Sequence, residues 1–333
     1  MGQALLRLLA RGRLPNALLF AGPDGVGKRL FALEVARGLV CTNRPEEGAC
    51  GDCAACARAG EFTVPKFEKG DESDHVFFTQ HPDVGFVLPF RRNLRIGAIR
   101  ALEREANFRP FEADARIFII DDADKMNEPA SNALLKTLEE PPSTSHIVLV
   151  TSRPDKLLPT IRSRCQTIRF GPAPFEAIEK HLMETGRFSP EDAALAARAS
   201  GGSVGRALEI VPASFRTQRS AMLNVLQAAV RADRRELLAA SEEMNDAKSK
   251  DEYEEKLGIL QALIHDIWIM KIGGDESQIL NLEIKPELFE LAKVATSPNL
   301  ARWINEIETV YENFIVNINR RITTDALFVE MSG

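Results

Sequence analysis

Gly22-Pro23-Asp24-Gly25-Val26-Gly27-Lys28-Arg29 follows the apolar run Leu18-Leu19-Phe20-Ala21, and this join decides the fold. The run reads as a strand and Arg29 to Leu39 as a helix behind it, so the glycines fall at a strand-to-helix turn. In a P-loop, such glycines let backbone N–H groups face phosphate oxygens while Lys28 reaches the β- and γ-phosphates. The pattern closes on Ser or Thr, whose hydroxyl holds Mg²⁺. Here the closing residue is Arg29, which cannot ligate a cation. Gly22, Gly25, Gly27, Lys28 and Arg29 are thus expected to bind ATP or ADP phosphates with poor provision for magnesium. The competing reading is a plain Gly-rich turn.

Working outward, Val84 to Leu88 reads as a strand and Ile96 to Asn107 as a helix with period set by Ile96, Ile99 and Leu102. Ile117-Phe118-Ile119-Ile120 is an uninterrupted apolar run, as a parallel strand buried on both faces requires. Asn127 to Glu140 is a helix: Asn127 can cap it, Pro129 is tolerated in its first turn, and Pro141-Pro142 stop it. Ile147 to Val150 and Gln166 to Phe170 complete the strands. Strands alternating with helices predict an α/β fold, a doubly wound parallel sheet with ligands at its carboxyl edge. Residues 60 to 82, rich in charge, Gly and Pro, read as an irregular surface insertion. Beyond Gly171-Pro172 the strand signals stop. The expected domains are a core over 1–170, a small helical unit over 171–212, and a helical domain over 213–333 in which Leu257, Leu260, Ile264 and Ile267 mark one face.

Two further groups carry chemistry. The Ile117–Ile120 run ends in Asp121-Asp122, the Walker B arrangement: one acid approaches Mg²⁺ and the next polarises the attacking water. The second acid is usually Glu; Asp122 is one methylene shorter, and a displacement of about 1 Å in a positioned group can cost about a hundredfold. The other group is Cys41, Cys50, Cys53 and Cys56, spaced C-x8-C-x2-C-x2-C. Four thiolates suit a closed tetrahedral, structural Zn²⁺ site; an iron–sulfur cluster or metal-free thiols are the alternatives. His75 and His81 lie nearby and read as surface or packing residues.

Composition narrows the partners. The chain has 333 residues, 44% hydrophobic and 27% charged, with a net charge of −6. This balance argues against gripping DNA alone over a broad surface, because that grip scales with Lys and Arg. No apolar run approaches the roughly 20 residues of a membrane span. Arg7, Arg11 and Arg13 interrupt the N-terminal apolar stretch, so no signal peptide is read there. A cytoplasmic location, with no membrane partner, is expected.

Asn132-Ala133-Leu134-Leu135-Lys136-Thr137-Leu138-Glu139-Glu140-Pro141-Pro142, followed by Thr160-Ile161-Arg162-Ser163-Arg164-Cys165, resembles bacterial clamp-loader subunits of the AAA+ superfamily. The four-Cys insertion after the P-loop helix fits the same group. The resemblance covers about residues 15 to 210 and implies an AAA+ core, a helical lid and a C-terminal collar. It implies a hetero-pentameric ring with gamma/tau motor subunits and a delta subunit. That ring would load the sliding clamp on primed DNA for DNA polymerase III, touching DNA only within the complex. It also assigns Arg164 as an arginine finger entering the ATP site of a neighbour. Such a finger is worth roughly 10³–10⁵ in rate, or about 4–7 kcal/mol of barrier.

Departures from the motor pattern point one way. Arg29 replaces the hydroxyl and Asp122 replaces Glu. The lid pattern G-S-x-R-x-A-L would place a nucleotide-sensing Arg at position 205, whereas the chain reads Gly202-Ser203-Val204-Gly205-Arg206-Ala207-Leu208. Arg206 lies one residue on, about 100° round a helix. The first sensor region, Thr151-Ser152, is chemically intact. A stator that completes a partner's ATP site is the expectation, with intrinsic ATPase absent or weak. A gamma/tau-like motor with weak hydrolysis is the enzyme alternative, and a single-chain DNA-binding ATPase the third.

Overall fold

A computed structural model describes residues 14–45, 48–63, 74–90, 93–245, 252–314 and 320–333. The chain divides into two compact units, the first running to Ala173 and including Ser203–Gly205, the second formed by Pro174–Gly202 and Arg206–Gly333.

The first unit is built on β1 (Ala17–Ala21), β2 (Phe77–Phe78), β3 (Val84–Val87), β4 (Arg116–Ile120), β5 (Ser145–Thr151) and β6 (Gln166–Arg169), in the order β2-β3-β4-β5-β1-β6. All pairings are parallel except β2 with β3. Its helices are α1 (Lys28–Val40), α2 (Ala54–Gly60), α3 (Ile96–Ala106), α4 (Glu128–Glu139) and α5 (Pro159–Arg164). Side-chain alternation with both faces covered explains the unbroken apolar runs of the central strands, such as Ile117–Ile120 and Ile147–Val150. Leu18, Phe20, Ile117, Ile119, Val148 and Val150 face one core with α1 and α2. Ala17, Leu19, Phe118, Ile120, Ile147 and Leu149 face a second core with α3, α4 and α5. The doubly wound sheet is therefore as expected. Asn127 caps α4, its side chain accepting the Ala130 N–H at 3.0 Å.

The expectation of an irregular insertion over 60–82 is corrected in part. Residues 64–73 lie outside the described residues, but Phe77–Phe78 adds an antiparallel edge strand to β3, and Thr79 and His81 are buried. Two strand residues are too short a run for periodicity to register. The segment is held by Asp83, which accepts N–H groups from Phe111, Glu112 and Ala113 at 2.8–3.0 Å. Arg116, as fully buried as Asp83, lies 3.5 Å from it.

The second unit is helical: α6 (Phe175–Glu184), α7 (Pro190–Ala199), most of α8 (Val204–Glu209), α9 (Pro212–Val230), α10 (Arg234–Met244), α11 (Tyr253–Ile272), α12 (Lys285–Val294), α13 (Ser297–Phe314) and α14 (Arg320–Met331). Leu257, Leu260, Ile264 and Ile267 are all fully buried, with Trp303 and Phe328, in its core. The buried Asp266 accepts N–H groups from Leu280 and Asn281, which pins the stretch between α11 and α12. No helix of the described residues is long and apolar enough to cross a membrane.

Candidate functional site

Parallel pairing brings the ends of β1, β4 and β5 to one sheet edge: Ala21 is in register with Thr151, and Ile120 with Leu149. The P-loop, the two acids and Thr151-Ser152 therefore meet there, at the carboxyl edge where open α/β sheets bind ligands. Gly25 and Gly27 have φ of +72° and +92°, the left-handed region in which only Gly is unstrained. Gly22 is required for a different reason: a Cβ there would lie 2.2 Å from the Phe170 carbonyl oxygen. Behind this turn α1 begins at Lys28 with no side-chain cap, so its first amides remain for an anion.

Lys28 is buried, and its ammonium donates to the carbonyls of Gly22 at 2.7 Å and Pro23 at 2.5 Å. Burial lowers its pKa, against the opposing pull of Asp24, Asp121, Asp122 and Asp124. Arg29, the next residue, turns toward the end of β4: Nη1 donates to Asp121 Oδ2 at 3.3 Å. The same carboxylate accepts the Asp122 N–H at 3.2 Å through Oδ1. Burial and the neighbouring Asp122 raise the Asp121 pKa, while Arg29 holds it down.

Asp122 sits in the left-handed region, φ +48°, and its Oδ2 accepts from Lys125 Nζ at 2.7 Å. Asp124 Oδ1 accepts the Thr151 hydroxyl at 2.5 Å, and Ser152 lies beside it, half-buried. Each acid following β4 thus has a protein partner. In sequence Lys125 carried no signal, because its role depends on the one-turn 3-10 helix Ala123–Lys125 that folds it back. Gly205 belongs to this unit, and its N–H donates to the Gly25 carbonyl at 3.1 Å. A Cβ at 205 would stand 3.5 Å from Gly25, so the backbone itself packs on the phosphate loop.

Arg164 is the last residue of α5. Its Nη1 donates to the Thr160 carbonyl at 3.0 Å and its Nη2 to Glu139 Oε1 at 2.7 Å. The side chain is about one-third exposed. In sequence Glu139 is only part of a motif; its pairing follows from α4 and α5 lying side by side.

The Sγ atoms of Cys41, Cys50, Cys53 and Cys56 all lie within 4.8 Å of one another, and this is the one His/Cys/Asp/Glu cluster of metal-site geometry among the described residues. Three sulfurs accept backbone amides: Cys41 from Cys50 N, Cys50 from Cys53 N, and Cys53 from Cys56 N. A hydrogen bond from Thr42 leads those that hold the Cys53 thiol down at about 5, while burial pushes Cys56 up to about 12. Four converging sulfurs with amide donors form a donor set that could bind a metal such as zinc. Arg37 of α1 clamps the loop, donating to the carbonyls of Cys56 at 3.3 Å and Gly51 at 3.5 Å. His81 is buried in packing and His75 is exposed, and neither belongs to the cluster.

Comparison with known proteins places these features in a family. The family model for DNA polymerase III, delta subunit, matches residues 1–174, and that for its C-terminal part matches 213–329. The DNA polymerase III subunit delta' of Bacillus subtilis is 30% identical over 83% of this chain and 78% of its own length. That of Escherichia coli is 28% identical over 95% of this chain and 89% of its own. The gamma/tau subunit of Mycobacterium tuberculosis is 32% identical, over 59% of this chain and 32% of its own length. The chain belongs to the DNA polymerase III delta-prime family.

Proposed function

We propose that this chain is the stator of a clamp loader, a subunit that lends Arg164 to a neighbour's ATP and does not turn over ATP itself. The observation that carries this reading is the Arg29–Asp121 ion pair, which sets a fixed cation between the P-loop and the acid that would otherwise hold Mg²⁺. Asp122, the remaining candidate for activating water, is turned to Lys125. Gly205 offers the phosphate loop a backbone contact in place of an arginine. These three substitutions remove metal, base and sensor from one reaction, while an Arg that could act in trans is retained.

In this reading residues 1–170 form the AAA+ core, 171–212 the lid and 213–333 the collar. The collar joins gamma/tau motors and delta in a hetero-pentameric ring that loads the sliding clamp on primed DNA in the cytoplasm. Zn²⁺ on Cys41, Cys50, Cys53 and Cys56 is structural, since four thiolates leave no position for substrate. The test is Arg164→Ala in the reconstituted ring. DNA-stimulated ATP turnover is expected to fall by roughly 10³ or more at the site it serves, with assembly intact by gel filtration. Undiminished turnover would remove Arg164 from the mechanism.

A further inference from the structure

We infer that the phosphate loop binds a nucleoside di- or triphosphate without a divalent cation, the Arg29 guanidinium standing where Mg²⁺ would be held. The inference rests on the stator reading of this same site and specifies its ligand chemistry.

Accessible acids are what magnesium needs, because it is held by carboxylates and water in near-octahedral geometry at about 2.0–2.1 Å. At this sheet edge each acid that follows β4 already has a partner of its own. Asp121 uses one oxygen for Arg29 and the other for the Asp122 amide. Asp122 is paired with Lys125, and Asp124 receives the Thr151 hydroxyl. Entry of a metal would have to displace a guanidinium already bound to Asp121, with no hydroxyl from position 29 to complete its shell.

The same groups still suit phosphate. Arg29 makes one hydrogen bond among those described, and half of its side chain is exposed at the N-terminus of α1. A guanidinium has five N–H donors in a planar fork that matches phosphate oxygens, so one nitrogen can keep Asp121 while others face the ligand. Lys28 donates to two carbonyls of the loop, which keeps its ammonium beside the amides that would face phosphate. Gly25 and Gly27 keep the left-handed turn that aims amides inward. Asp24 on the loop is exposed, and its charge is offset by Lys28, on which it acts first among the neighbouring acids. The two roles of a bound magnesium, neutralising phosphate and bridging it to the acid, then fall to one side chain.

The test uses the full chain and a fluorescent ADP analogue, titrated in magnesium and again in EDTA. The native chain is expected to bind equally in both, within about twofold. Arg29→Ser, which restores the hydroxyl and removes the fixed cation, should lose about tenfold or more in EDTA and recover with magnesium. Arg29→Lys, which keeps a cation, should retain metal-free binding, and Lys28→Ala should abolish it. Native binding that requires magnesium, no native binding, or binding indifferent to Lys28 would each overturn the inference. Hydrolysis of ATP by the native chain alone is a separate readout: it would defeat the stator reading, whereas magnesium-dependent binding without hydrolysis defeats only this inference.

Discussion

Arg164 Nη2 lies 2.7 Å from Glu139 Oε1, so the arginine proposed to act on a neighbour is paired within its own chain. Both side chains are well exposed, at 35% and 50%. An exposed pair of this kind is worth about 0–1 kcal/mol, against the roughly 4–7 kcal/mol assigned to a working finger. The pair therefore orients Arg164 without holding it back.

Glu139→Gln should accordingly change turnover of the reconstituted ring by less than about fivefold, with Arg164→Ala as the reference for full loss. Steady-state ATPase assays of the two variants side by side measure this. A loss as large as that of Arg164→Ala would show that Glu139 has a role beyond orientation.

Metal binding is tested by Cys53→Ser. One ligand of four is lost, and the amide of Cys56 loses the sulfur that accepts it at 3.4 Å. Metal content by mass spectrometry is expected to fall from about one zinc per chain to near zero. The melting temperature should drop by more than about 5 °C. Native protein purified without metal would refute the zinc assignment.

His146 gives a pH signature. Burial lowers its pKa, although its Nδ1 contact with the Pro15 carbonyl at 3.0 Å opposes the shift. The folded state then binds fewer protons than the unfolded state below the ordinary histidine value of about 6.5. Its contribution is complete above that value and is lost as pH falls beneath it, with a slope of at most about 1.4 kcal/mol per pH unit. The buried His81, lowered chiefly by burial, acts in the same direction. Urea unfolding between pH 7.5 and 5 should show a shallower slope in His146→Asn than in the native chain.

Much of this architecture was legible because burial on both faces leaves an unbroken apolar run, as in Phe118 and Ile119, which point to opposite cores. The glycines, cysteines and acids were legible because their chemistry fixes their spacing. What was hidden depends on distant pairing. Arg29 and Asp121 are 92 residues apart, so the sequence shows a missing hydroxyl but not the ion pair that takes its place. Asp83 and Arg116 are likewise joined only by the β3–β4 pairing. Charged residues in a stretch such as 60–82 read as solvent-facing until the sheet edge that buries their neighbours is known.

Helix α1 has a consequence of another kind. Its thirteen residues span about 20 Å, from Lys28 and Arg29 at one end to Cys41, the first sulfur of the cluster, just past the other. Arg37, a turn before the end, ties that helix to the cysteine loop. Thiol oxidation or chelation would therefore loosen the far anchorage of the rod that aims Arg29 at Asp121. A change at the cysteines would then be felt at the Arg29–Asp121 pair, through one rigid element and with no residue in common between the two groups.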